Sequence, residues 1–293
     1  MPEHFAAAPN WEWWILAYFF FGGIAGGSYA IGTLIRLVGA EADQRAARIA
    51  FITSFLALIP CPIFLTIDLG QPFRFINMLL DASNGGLIFK YASPMSVGSW
   101  ALLGFGVFSF VSFLGSLGHS RRSLRPFARF LRGTVGAAWN TIGTGLGFLV
   151  AGYTGVLLAV SNQPVWSDAG WVLGGLFLAS ALAGSTALLI ALAASRRGLE
   201  AGTTVRLEVA DRNFVALEAI LLVLFVASLA IAGTLEKLLG VWGLLWIVVL
   251  LGLAAPFVAR FGAMRTWSAV AASIVGLLGV LALRMLVIFG PQS

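Results

Sequence analysis

Eight apolar runs, at about residues 13–37, 49–67, 95–117, 134–160, 170–194, 213–232, 241–259 and 266–289, leave this chain few ways to fold. A helix rises about 1.5 Å per residue, so roughly 20 apolar residues cross the hydrocarbon core of a bilayer. Composition agrees. Only 10% of residues are charged, against about 25% in a soluble domain, and the mean hydropathy is +0.95. These values exclude a soluble enzyme, a disordered chain, a nucleic-acid-binding domain and a disulfide scaffold. The expected fold is an all-α integral membrane protein with eight transmembrane helices and no cleaved signal peptide. Residues 1–168 (spans one to four) would form one helix bundle and residues 169–293 (spans five to eight) a second.

The basic residues set an expected orientation. Arg36, Arg45, Arg48, Arg121, Arg122, Arg125, Arg129, Arg132, Arg196, Arg197, Arg206, Arg212, Arg260 and Arg265 fall on one side. Arg74, Lys90, Lys237 and Arg284 fall on the other, which accounts for all 18 Lys and Arg. Cytoplasmic loops carry the excess of positive charge. Both termini are therefore expected outside, in a bacterial inner membrane. The same excess explains the net charge of +6 without nucleic acid.

The ligands of the common redox centres are missing. One cysteine, Cys61, permits neither an internal disulfide nor an iron–sulfur cluster, which needs about four thiolates. The two histidines, His4 and His119, lie outside the apolar runs, so no haem is expected between spans. No cofactor is expected to be bound covalently or by metal ligation.

Several features inside the spans can carry chemistry or only packing. Gly22-Gly23-Ile24-Ala25-Gly26-Gly27 in span one and Gly143, Gly145, Gly147, Gly152 and Gly155 in span four allow close helix approach, or room for a flat ligand. Pro60-Cys61-Pro62 should bend span two and tilt the end that carries Asp68. Asp68 reads as a functional carboxylate, or as a solvated loop residue paired with Arg74. Glu218 and Arg284 lie about five residues inside opposite ends of their spans, where each can be functional or snorkel to the interface. Trp11, Trp13, Trp14 and Trp166 read as interfacial belt residues. Tyr18 and Tyr153 fall at matched depth, roughly 10 Å below the outer surface. With Asp68 on that side, two phenols and a carboxylate suit a lipid-soluble, proton-coupled molecule. The loop at residues 68–93 is the largest on the outer side, and Ser93-Pro94 should cap the third span.

Three motifs together resemble the NrfD/PsrC family of quinone-interacting membrane subunits. They are Tyr18-Phe19-Phe20-Phe21-Gly22-Gly23-Ile24-Ala25-Gly26-Gly27-Ser28, Asp68-Leu69-Gly70-Gln71-Pro72-Phe73-Arg74-Phe75 and Ser93-Pro94-Met95-Ser96-Val97-Gly98-Ser99-Trp100. Tyr153-Thr154-Gly155 and Ser161-Asn162-Gln163-Pro164-Val165-Trp166 resemble the family's fourth helix and the loop after it. The resemblance covers about residues 10–170. It departs at Gln71, where the motif usually has a basic residue, and at Tyr18, where some relatives have histidine.

The resemblance implies a respiratory oxidoreductase subunit that is inactive alone and takes menaquinone or ubiquinone as substrate. Electrons would pass between quinone and a ferredoxin-like iron–sulfur subunit on the outer face. A molybdopterin catalytic subunit or a multihaem cytochrome would lie beyond it. Tyr18, Asp68 and Tyr153 would line the quinone pocket and exchange protons, with Arg74 beside them. Glu218 is the candidate for a proton path, so proton translocation is compatible with this reading. The rival readings are a secondary transporter or channel, and a structural membrane anchor.

Overall fold

The computed structural model describes residues 10–81, 85–195, 199, 201–259 and 265–292. His4, Arg196, Arg197 and Arg260 of the sequence reading lie outside the described residues. Among the described residues there are ten α-helices, nine of which supply the eight spans. They are α1 (Trp13–Val38), α2 (Gln44–Leu58), α3 (Pro60–Asp68), α4 (Pro94–Leu117), α5 (Arg125–Phe130), α6 (Gly133–Ala159), α7 (Gly170–Ser195), α8 (Ala201–Ala232), α9 (Leu245–Val258) and α10 (Arg265–Phe289). The second span is α2 and α3 in series, and α5 is a short connector. Among the described residues there is no strand, only an isolated bridge between Leu80 and Leu87. The chain is an all-α, multi-pass membrane protein, as its apolar runs require.

Packing is organised around two spans. In the first half α2 packs on α1 and α4, α4 on α6, and α6 back on α1. In the second half α7, α8, α9 and α10 follow one another in the same cyclic way, and α1 joins the halves by packing on α7. The span of α1 is 83% buried and that of α7 78%, whereas the α9 span is 11% buried. The glycines explain how α1 comes so close. A Cβ at Gly26 would overlap the Gly147 carbonyl of α6, and one at Gly27 the Ala181 carbonyl of α7. At that level the glycines of spans one and four serve backbone contact, and no slot for a flat ligand remains there.

The ends are fixed by local chemistry. Ser93 accepts from the Ser96 N–H and Pro94 takes the first helical position, so α4 starts where its N-cap signal lies. Pro60 and Pro62 lack the N–H groups a continuous helix needs, and the second span breaks at Ile59. Before the break α2 packs against both α1 and α4; beyond it α3 keeps α1 as its main partner. The prolines thus let α3 and α4 diverge in the half of the molecule that carries the 68–93 loop.

Two sequence expectations change. Trp166 is fully buried, donates from Nε1 to the Val287 carbonyl at 2.6 Å and packs at a tilt against Trp11, so it is a core residue and not part of an interfacial belt. The sixth span begins at Ala201, about twelve residues before its apolar run, because helix formation continues through charged residues that hydropathy discounts. Arg206 and Arg212 are therefore helical residues of α8 and not loop charges. Arg206 pairs with the buried Asp43 at 2.7 Å and ties α8 to the α1–α2 connection.

Candidate functional site

The loop end of the first half holds the residues picked from sequence. Tyr18 is buried on α1 and lies with Cys61 of α3 around Gly22. Cys61 and Tyr153 both lie within electrostatic range of its hydroxyl. No hydrogen-bond partner of the Tyr18 hydroxyl is found among the described residues, which leaves its O–H as a donor. Tyr153 is half-buried on α6 and donates to the Pro94 carbonyl at the start of α4, at 2.7 Å. Its ring occupies the space that a Cβ at Gly98 would take. With its proton committed to Pro94, the Tyr153 oxygen presents acceptor lone pairs.

Asp68 and Arg74 lie apart from this pair. Asp68 is exposed at the last turn of α3, seven residues or about 10 Å beyond Cys61, and its charged neighbour is Glu12 at the start of α1. Arg74 is exposed in the 3₁₀ stretch Pro72–Met78. Among the described residues the two form no ion pair, so the alternative of an Asp68 paired with Arg74 drops out. The arrangement is therefore a buried donor beside Cys61, a half-buried acceptor against the start of α4, and a solvated carboxylate at the rim. The helices diverge beside it.

Arg284 overturns the snorkelling expectation. It is fully buried on α10, and its side chain points back along the helix to its own Val280 carbonyl. It donates from Nε to the Phe19 carbonyl of α1 at 3.2 Å, from Nη2 to the Phe177 carbonyl of α7 at 3.3 Å and from Nη1 to Ser180 Oγ at 2.8 Å. The guanidinium also stacks over the Phe177 ring, 5.1 Å from its centre. Glu218 of α8, also buried, lies against the same Ser180 hydroxyl. Two residues read from sequence at opposite ends of the bilayer thus meet through one serine. Each lies in the other's electrostatic field, although no ion pair joins them, and neither reaches an interface.

A further acid, Asp211, was not singled out from sequence because it falls just before the sixth apolar run. In the structure it is 5% exposed on α8, and its Oδ1 has no partner. It lies seven residues, two turns, before Glu218 on the same helix face. The spacing Asp211, Val215, Glu218 was the available signal. Both acids line one small gap of ≈ 10 Å³, about the room one water needs. Asp211 also borders a larger cavity of ≈ 340 Å³ at the Arg-rich end, with Glu208 and Arg212. The polar groups form a broken line from that end through Asp211, Glu218 and Ser180 to Arg284 and α1.

Eight spans with buried polar side chains between them define a polytopic membrane protein. The family model for polysulphide reductase, NrfD, matches residues 1–293, and the chain belongs to that family. The chain is also similar to a selenate reductase subunit from Mesobacillus selenatarsenatis, 30% identical over 93 residues. That stretch is 32% of this chain and 20% of the relative.

Proposed function

We propose that this chain is the membrane subunit of an oxidoreductase complex, exchanging electrons between the quinone pool and a peripheral iron–sulfur subunit. The observation that carries the reading is a buried Tyr18 hydroxyl without a partner among the described residues, in the electrostatic range of Tyr153, at the end of the molecule where α3 and α4 diverge. A quinone ring has oxygens on opposite edges, and a quinol has O–H groups there. The free Tyr18 O–H can donate to one edge, and the Tyr153 oxygen can accept from the other. Oxidation of a quinol releases two electrons and two protons. The electrons leave for the partner, and exposed Asp68 can pass protons to water. Family membership and the similarity to a reductase subunit support an oxidoreductase assignment.

On this reading the loop end faces outward and the Arg-rich end the cytoplasm, as the distribution of Lys and Arg favours. The partner is a ferredoxin-like iron–sulfur protein, with a molybdopterin subunit or a multihaem cytochrome beyond it. Phe73, Leu87, Phe89 and Tyr91 are exposed on the loop, an apolar surface suited to such a contact. Cross-linking from the exposed Lys90 in the assembled complex should capture the iron–sulfur subunit. Cross-links that formed only from Arg121–Arg132 would reverse both the orientation and the docking side. A structural anchor, by contrast, would not support quinol-dependent reduction of that subunit.

Glu218 and Asp211 are then a route for protons from the Arg-rich end. An acid buried among spans is a functional candidate by default, and the gap they share, apolar except for the two carboxyl groups, has room for one water to bridge them. Glu218→Gln and Asp211→Asn are expected to leave quinone binding unchanged and to abolish proton uptake from that side in proteoliposomes. Unaltered proton uptake in both variants would reduce the pair to a packing role.

A further inference from the structure

A separate cavity of ≈ 330 Å³ opens at the Arg-rich end between the end of α1, the start of α2 and the start of α6. Arg36, Gln44, Arg132, Gly133 and Asn140 line it. Its cations converge without a counter-charge. Arg36 lies in the field of Arg48 and Arg132, and His119 at the end of α4 feels the same three. Partial burial and these cations hold His119 below the usual histidine range, against the pull of its bond to the Gly115 carbonyl. No carboxylate among the described residues faces this group. The adjacent Asp43 is turned toward Thr203, Arg206 and the Ala40 N–H, and Glu41 is exposed.

Three further features belong to the same place. Arg36 donates from Nη2 to the Leu131 carbonyl at 2.8 Å, which fixes the guanidinium at the cavity wall and leaves its other N–H groups for a ligand. The first turn of the 27-residue α6 starts there. Its N-cap, Arg132, supplies no side-chain acceptor, so the first N–H groups and the positive end of the helix dipole are open to an anion. Asn140 is fully buried at the cavity wall one to two turns deeper, and neither its Oδ1 nor its Nδ2 has a partner. A buried primary amide left unpaired costs free energy, which a bound acceptor would recover.

We propose that this cavity binds a phosphate oxyanion, held by Arg36, Arg132 and the first N–H groups of α6, with the Asn140 amide at its deep end. The apolar Leu37, Leu131 and Ala137 complete the wall, so the group can arrive on an anionic phospholipid whose chains lie along α1 and α6. Free phosphate offers the same oxygens. The site is independent of the redox assignment and survives its failure.

The full chain, purified with the subunits that accompany it, is tested in detergent against three probes: phosphatidylglycerol, phosphatidylcholine and inorganic phosphate. Binding is read by native mass spectrometry and by the shift in thermal unfolding. Phosphatidylglycerol should bind and stabilise well beyond phosphatidylcholine. Arg36→Gln and Arg132→Gln should each weaken it at least about tenfold, the loss of one charge-assisted hydrogen bond. Arg121→Gln, on the neighbouring loop, should not. Asn140→Leu should weaken it too without lowering the lipid-free unfolding temperature, because that amide has no protein partner to lose and its burial already costs free energy. Protection by inorganic phosphate that the same variants remove would assign the site to the free anion. The proposal is overturned if neither anion outperforms phosphatidylcholine, or if the four variants behave alike.

Discussion

Arg284→Met is expected to destabilise the protein by roughly 3 kcal/mol or more, because several buried acceptors lose a charged donor at once. The substitution keeps much of the apolar volume but removes the donors to Phe19, Phe177 and Ser180. It also leaves Glu218 buried without the nearby cation. Adding Glu218→Gln should restore part of the loss, since a neutral amide can still meet Ser180. Thermal unfolding of the two single variants and the double variant gives the coupling directly. Additive effects would mean that the two residues are not electrostatically coupled, and an unchanged Arg284→Met protein would show that the node contributes nothing to stability. The node joins α1, α7, α8 and α10, so its loss is felt where the two halves of the molecule meet.

The second large effect is expected in quinol turnover. Tyr18→Phe removes the free donor and Tyr153→Phe removes a hydroxyl whose hydrogen bond fixes the start of α4. Losing a buried hydrogen bond is worth about 1–3 kcal/mol, so each should slow quinol-dependent reduction of the partner about 5- to 150-fold. The two differ in kind. Tyr18→Phe touches no other residue's hydrogen bond and should leave unfolding unchanged, whereas Tyr153→Phe leaves the Pro94 carbonyl short of a donor and should also lower stability. Asp68→Asn should slow turnover more than it weakens quinone binding, because Asp68 stands at the rim. Steady-state kinetics with a quinol analogue on the assembled complex decide the matter. Near-wild-type rates in the double tyrosine variant would place the quinone elsewhere.

Much of the candidate site is legible in the amino-acid sequence. Tyr18 and Tyr153 fall at matched depth by residue count alone, because a helix converts residue number into height at a fixed rate. The break at Pro60 and the cap at Ser93 follow from the N–H that proline lacks and the oxygen that serine offers. Depth says nothing about rotation around a helix, however. Arg284 and Glu218 therefore read as residues of opposite interfaces, although long side chains pointing along their helices bring them to one serine.

The number of spans, the all-α class and the basic asymmetry of the two ends follow from the order of residues. Hydrocarbon admits a backbone only when every N–H and C=O is paired within the segment, which forces helices of a set length. Which helix faces meet is a matter of packing in three dimensions. Packing buried Trp166, turned the charged stretch before the sixth apolar run into a helix that carries Asp211 inward, and used the glycines of α1 and α6 for contact between backbones. It also left Asn140 unpaired beside uncompensated arginines. These outcomes depend on residues far apart in the chain, where the free energy of a buried polar group is set by whichever neighbour the packing brings to it.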